Sequence, residues 1–472
     1  EAGATEKEPI KITVEDAILM AFENNSLLAV ERLNPAIRRT YEEEESAEFD
    51  PVFKGSTDVT YERTGQAQTT SSTTSGGTTE ERELEVGISR FFPHGTDVAA
   101  ELSLNQTDSA RYGDQYESRI GLSVTQALLK GRGKEVNLAN LRRAQLETRI
   151  SQYELRGFSE TLLAQVEEAY WDYALARRQI ETVQESLRLA EQQKRETEEM
   201  ISVGKMAETE IVAAQAEIAS RRQDLINVTS TVEKRRLALL RLLNPPGENL
   251  WQRQIVLLHQ PSLPEVNLDD VETHVSVALR MRPDLNQARL GLEREDLEII
   301  KTKNGLLPRM DFFINLGKTG YADSFKGSMS DVTGDSYDFQ FGINFDHPLG
   351  NRGSKAQNER ALLNRDQAEK AVGNLSQLIE LDVRTAYIEV NRAEQQISAT
   401  AETRKLQEEK LRVETERFRV GRSTNFLIAQ AQRDLVISQI EENRAVANYL
   451  KALIALYRLE GSLLERRGIA VK

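Results

Sequence analysis

The chain contains no cysteine, which excludes disulfides, thiol chemistry and cysteine metal sites. Histidine is scarce: His94, His259, His274 and His347 are scattered and show no metal-ligand spacing. No run of 18 apolar residues occurs, so a helical membrane span is not expected. Positive charge is in deficit. The net charge of −14 argues against a nucleic-acid partner. Charged residues make up 29% of the chain and mean hydropathy is −0.51, a polar average. The start, EAGATEKEP, has no basic and apolar leader, so the chain is expected to be either cytosolic or already freed of a signal peptide. Proline is absent between Pro93 and Pro245 and again after Pro348. Since proline costs about 3 kcal/mol in a helix interior, these gaps leave room for very long helices.

What is present is a plan used twice. AFENNSLLAVERL from Ala21 is similar to ALRMRPDLNQARL from Ala278, 257 positions on, and the same offset joins Pro51 to Pro308. GLSVTQALLKGRG from Gly121 parallels GINFDHPLGNRG from Gly342. VEEAY ending at Tyr170 parallels VRTAY ending at Tyr387, offset 217, and VGKMAETEIVAAQAE from Val203 parallels VGRSTNFLIAQAQRD from Val420 at that same offset. Such self-similarity marks a duplicated unit: helix, strands, long helix, turn, helix. The expected division is an N-terminal segment with a short helix (1–25), a first repeat (26–261; strands about 52–127, helical hairpin 134–244) and a second repeat (262–472; strands about 309–346, helical hairpin 355–460, then a tail). From Pro51 to Gly121 is 70 positions but from Pro308 to Gly342 only 34, so the first repeat carries 36 extra residues in its strand region.

Lys134 to Ser202 would span roughly 100 Å as one helix. Its apolar or large residues, Leu163, Val166, Tyr170, Tyr173, Ile180, Val183, Leu187 and Ala190, step mostly by three and four, close to a coiled-coil seam. In each repeat a shorter lead-in helix and a return helix together nearly equal the long one, the arithmetic of a double-length bundle. An elongated coiled coil alone would also fit these helices.

Six stretches alternate with period two. Apolar Phe53, Val59 and Tyr61 oppose Lys54, Asp58 and Glu62; Leu84, Val86 and Ile88 oppose Glu83 and Glu85; Val98, Leu102 and Leu104 oppose Asp97 and Glu101; Ile120, Leu122 and Val124 oppose Glu117 and Arg119. In the second repeat Met310, Phe312 and Ile314 oppose Asp311, and Tyr337, Phe339, Phe341 and Phe345 oppose Asp338 and Asp346. Alternation fits any half-buried antiparallel sheet. Three details favour a membrane barrel: segments about ten residues long, aromatics at both ends, and long polar far loops such as GQAQTTSSTTSGGTTEE set against the tight PHGT. So few strands cannot close alone, and lipid does not tolerate an open edge, so several chains must share the barrel. No active site is expected. EEEE from Glu42 reads as a solvated helix face, and GRGK from Gly131 lacks the ending of a phosphate loop.

The whole plan, over about residues 12–460, resembles the TolC-like outer membrane efflux proteins. RPDLNQARLGLE from Arg282, GLLPRMDFFINLG from Gly305, GINFDHPLGNRGSKAQ from Gly342 and the two Val-Gly turns carry the likeness. The resemblance implies a mixed α and β fold: a trimeric outer-membrane β-barrel continuous with a long periplasmic α-helical barrel. It implies a homotrimer in outer-membrane lipid of a Gram-negative cell, with no enzyme activity and no cofactor. It also implies a passive exit duct for an efflux or type I secretion system, serving an inner-membrane pump through a periplasmic adaptor. A pore-less periplasmic coiled coil and a stand-alone porin are the alternative readings.

The family's hairpin tips meet the adaptor, and the matching positions here are Val203, Gly204, Thr209, Val420, Gly421 and Thr424; plain helix capping is the competing role for the glycines. Aspartates that narrow the pore in many members are replaced by Leu427 and Gln430, leaving Glu208 and Glu210 as further gate candidates. The lumen would carry Asp58, Glu62, Glu83, Glu85, Asp97, Glu101, Glu117, Asp311, Asp338 and Asp346 against Lys54 and Arg119, a surplus that favours cations. The usual plan has two strands per repeat and twelve in the trimer. The 36 extra residues are expected to form a further hairpin, Arg82–Phe92 and Thr96–Gln106, giving six strands per chain and eighteen in all; a hairpin folded outside the barrel or into its lumen is the rival.

Overall fold

A computed structural model describes residues 9–470 apart from 65–66, 70–71, 75–76, 110–112, 248, 262–267 and 421. In chain order the elements that matter are β1 (Ile10–Ile12), α1 (Val14–Asn24), α2 (Ser26–Glu31), α3 (Asn34–Ser46), β2 (Val52–Thr64), β3 (Gly77–Phe92), β4 (Thr96–Ser109), β5 (Gly113–Ala127), α4 (Ala139–Ser202) and α5 (Glu210–Leu243). There follow β6 (Ile255–Leu257), α6 (Val271–Met281), α7 (Pro283–Gly305), β7 (Arg309–Ala322), α8 (Phe325–Asp331), β8 (Tyr337–Asp346), α9 (Arg352–Arg419), α10 (Asn425–Leu459) and α11 (Leu463–Arg466). They fall into two compact units. One comprises Glu1–Asn34, Gln152–Gln287 and Val372–Lys472, the other Pro35–Ser151 and Ala288–Ala371.

The first unit is helical and holds two apolar clusters. One gathers Ala17, Ile18 and Ala21 of α1, Leu163, Val166, Tyr170 and Tyr173 of α4, and Leu239, Leu240 and Leu243 of α5. The other gathers Val275 and Ala278 of α6, Ile379, Val383 and Val390 of α9, and Tyr449, Leu453 and Leu456 of α10. Positions 217 apart do the same work: Val166 and Val383 are core, as are Tyr173 and Val390. The buried side of α1 includes the alanines Ala17 and Ala21, and its start is fixed by a capping box. Thr13 Oγ1 accepts from the Asp16 amide at 3.1 Å, and Asp16 Oδ2 accepts from the Thr13 amide at 3.0 Å. β1 and β6 form a short parallel pair. The Tyr173 hydroxyl donates to the Ile255 carbonyl at 3.2 Å, which satisfies a buried phenol.

The second unit is built around one antiparallel sheet of order β8-β7-β5-β4-β3-β2. Each of the six alternating stretches lies within one of these strands. Neighbours in chain order are neighbours in the sheet, so the chain runs up and down with no crossover between them. The outer edges of β2 and β8 have no partner among the described residues. A feature that alternation did not foretell is α8, between β7 and β8. Ser118 and Ser328 hydroxyls meet at 2.7 Å, Tyr116 packs edge-on against Phe325 at 4.6 Å, and a Cβ on Gly320 would collide with the Ser328 carbonyl. α8 therefore sits on the same side of the sheet as Ile120 and Leu122.

Candidate channel wall and helical tips

The register shows what each face of the sheet is made of. Reading straight across the strands, Phe53 stands opposite Ile88, Ile88 opposite Ala100, Ala100 opposite Leu122, Leu122 opposite Leu316 and Leu316 opposite Phe339. That is an apolar row from one edge of the sheet to the other. The next row on the same face adds Val86, Leu102 and Ile120. No helix or loop among the described residues of the unit covers most of it: Phe53 is 73% exposed, Phe341 63% and Tyr337 76%. A large apolar surface left bare marks a site for another protein or for lipid. Its ends carry the aromatics Phe53 and Phe345 at the helical end and Tyr61 and Tyr337 at the far end.

The opposite face is charged. One row reads Lys54, Gly87, Glu101, Gly121, Gly317, Asp338 and the next reads Ser56, Glu85, Ser103, Arg119, Thr319. A third begins Asp58, Glu83, Asn105, Glu117. The sheet thus brings Asp58, Glu83, Glu85, Glu101, Glu117 and Asp338 into three adjacent rows. Glu62, opposite Thr79, lies farther toward the loops, and Asp97, Asp311 and Asp346 lie toward the helices. Asp311 is buried and accepts from Arg309 Nε at 2.6 Å, so it offers no free carboxylate. Arg119 reaches across β7 to chelate Asp338 at 2.6 and 2.9 Å. Glycine at 317 makes room for that reach, because a Cβ there would strike both the Asp338 carboxylate and the guanidinium. With Arg119 neutralised by Asp338, the remaining carboxylates on this face dominate its field.

At the tip of the first hairpin, Gly204 has φ +72°. Its amide donates to the Ile201 carbonyl at 3.0 Å and the Lys205 amide donates to Met200 at 2.9 Å. That pair of bonds is a Schellman cap, which a left-handed glycine closes. At the second tip the Arg422 amide donates to Arg417 at 2.8 Å, the same six-to-one bond; Gly421 lies outside the described residues. Thr424 caps α10 through its side chain, which accepts from the Leu427 amide. Thr209 stands at the start of α5 without a side-chain cap bond. Val203 is 66% and Val420 69% exposed, an apolar side chain held in solvent at each tip.

Among the gate candidates, Glu208, Leu427 and Gln430 are exposed, whereas Glu210 is engaged. Its partner is a residue that sequence reasoning passed over, Asn425, which is only 4% exposed. Asn425 Nδ2 donates to Glu210 Oε2 at 3.2 Å, and its Oδ1 accepts from Gln193 Nε2 at 3.1 Å and faces the Thr197 hydroxyl at 3.3 Å. One buried amide at the start of α10 therefore links the end of α4 to the start of α5. Lower on the same helices Arg433 donates to Glu217 at 2.7 Å. A lone asparagine in the first turn of an apolar-periodic helix was the only available signal.

The model of the outer membrane efflux protein family matches residues 18–245 and 274–462, and both the wall and the tips lie within those limits. The chain belongs to the outer membrane efflux protein family. It is an outer-membrane protein extending into the periplasm. Solved structures with the same fold include the outer-membrane channel OprN (16% identity, TM-score 0.69, 95% of this chain and 90% of that one). The CmeC outer membrane channel of Campylobacter jejuni also matches (16%, 0.68, 95% and 86%), as does the open state of the MtrE outer membrane channel of Neisseria gonorrhoeae (18%, 0.67, 95% and 89%). No curated protein matches the sequence.

Proposed function

We propose that three copies of this chain form a passive exit duct. In this reading the sheets close into a barrel in the outer membrane and the duplicated helical hairpins form a periplasmic tube. The tips receive a periplasmic adaptor that joins the duct to an inner-membrane pump of an efflux or type I secretion system. The observation that carries the reading is the apolar row from Phe53 to Phe339, backed by charged rows on the other face, in a sheet whose two edges are unpaired among the described residues. A bilayer solvates the first face, water the second, and neighbouring copies take up the edges, since hydrocarbon cannot satisfy free backbone groups. The lumen carboxylates favour cations, and Arg119 does not offset them because Asp338 holds it.

At the tips, Val203 and Val420 supply exposed apolar contacts and Gly204 lets a partner approach closely. The hub at Asn425 holds the two hairpins of one copy together, and its release would accompany opening. The duct hydrolyses nothing, so the pump supplies the energy. The test is export of a fluorescent pump substrate from cells lacking the gene, complemented with wild-type protein or with Val203→Glu and Val420→Glu together. Loss of export with normal amounts of outer-membrane trimer is the expected result. Full export by the double variant would remove the adaptor role of the tips, and a monomeric protein extractable without detergent would remove the duct.

A further inference from the structure

The extra hairpin of the first repeat, β3 and β4, has a place in the wall prepared for it on every side. It is paired along most of its length with both neighbours: Val52 opposite Ser89 through Thr64 opposite Gly77 on one flank, and Thr96 opposite Gln126 through Ser109 opposite Gly113 on the other. Its side-chain alternation is in phase with the rest. Leu84, Val86, Ile88, Leu102 and Leu104 fall on the apolar face, and Glu83, Glu85 and Glu101 on the charged one. A one-residue slip would have reversed this.

Its turn is also tied into the base of the sheet. Gly95 has φ +87°, and a Cβ on it would meet the Gly131 carbonyl. The Ala127 amide donates to the Gly95 carbonyl at 2.8 Å, the Gly133 amide to His94 at 3.1 Å, and Asn137 Nδ2 to Pro93 at 3.0 Å. Expelling the hairpin would break these bonds and leave five large apolar side chains in water.

Closure tests the same arrangement. Five antiparallel steps separate β2 from β8, so the two free edges run in opposite directions. The β8 edge of one copy can then pair antiparallel with the β2 edge of the next all the way round. The geometry points to a closed wall of eighteen strands in the trimer, six per chain, with β3 and β4 as full members. This rests on the trimeric-duct reading above. With strands about 4.8 Å apart and tilted about 40°, such a wall is about 36 Å across between backbones, against about 24 Å for twelve strands. The outer-membrane mouth is then half as wide again as a twelve-strand mouth. It admits bulkier cargo than the twelve-strand plan, and passage is limited by the helical tips rather than by the wall.

The absence of native cysteine makes the test clean. Ser56 stands directly opposite Glu85, but three strand spacings, about 14 Å, from Arg119, beyond the reach of a disulfide. All three positions face the lumen. In outer membranes treated with a mild oxidant, Ser56→Cys with Glu85→Cys should cross-link and Ser56→Cys with Arg119→Cys should not. An image of the purified trimer in section should count eighteen strands. Efficient cross-linking of 56 to 119, or twelve strands around a threefold axis, would overturn the inference and leave the duct standing. A particle with no threefold barrel would overturn both.

Discussion

Replacing Asn425 with alanine should loosen the closed state of the tips more than any other single truncation there. The side chain is buried and joins α10 to both helices of the other hairpin, with bonds of 3.1 Å to Gln193 and 3.2 Å to Glu210. Truncation leaves the half-buried Gln193 amide and Glu210 carboxylate each short of a partner, which together costs about 1–3 kcal/mol. If opening separates the hairpins, that cost falls on the closed state alone, and a two-state equilibrium shifts by about 5- to 150-fold per chain. The Arg433–Glu217 pair spans the same helices, but Arg433 is over a third exposed, so Arg433→Ala should shift the equilibrium only a few-fold. Single-channel recording in planar bilayers reads this as open probability. Asn425→Ala should flicker or stay open where wild type is mostly shut, and Arg419→Ala, which among the described residues is ion-paired with Glu416 on its own helix, should behave as wild type. An open probability for Asn425→Ala within twofold of wild type, with the trimer intact, would refute the assignment of this residue as the clasp.

Three further outcomes follow from other parts of the molecule. Asp338→Asn frees Arg119 on the charged face and should lower the cation preference read from reversal potentials in a salt gradient; a rise in that preference would contradict the proposed facing. Gly204→Val places a side chain in a left-handed conformation that costs about 1–2 kcal/mol, with no atom within 4 Å of its Cβ to clash, so the cost is backbone strain alone and should appear as faster protease nicking near 203–209. Glu160 is 2% exposed, and burial pushes its carboxyl up to about 7. Because the folded protein then binds this proton more tightly than the unfolded chain, the stability that this group contributes is greatest below about pH 4.5 and is lost as pH rises to 7. Glu160→Gln should remove that penalty, raising thermal stability in detergent at pH 8 by about 3 kcal/mol at most while changing little at pH 4; an equal gain at both would show that the charge is not responsible.

Why some parts were legible in the sequence and others not has a physical basis. The strands were, because period two survives wherever one face meets apolar and the other aqueous surroundings, and Phe53, Ile88 and Leu122 obey it without exception. The long helices were legible from the absence of proline, and the two Val-Gly turns from their repetition. Three features escaped. α8 is only seven residues, FKGSMSD, too short to display a helical period, and it is held by contacts with Tyr116 and Ser118, which lie some 200 positions away in the chain. Asn425 is an ordinary helix-start residue until the fold brings Gln193 and Glu210 to it. The pairing of Arg119 with Asp338 depends on Gly317 lying between them, a relation visible only once the register is known.

A duct of this kind requires one face of the sheet to meet lipid and the other water. Single cysteines placed at Ile88 and Leu122 on the apolar face, and at Glu85 and Ser103 on the charged face, can be challenged in outer membranes with a charged, membrane-impermeant maleimide. Labelling should be rapid at 85 and 103 and almost absent at 88 and 122, which should react only with a lipid-soluble reagent. Equal labelling of the two sets would contradict it.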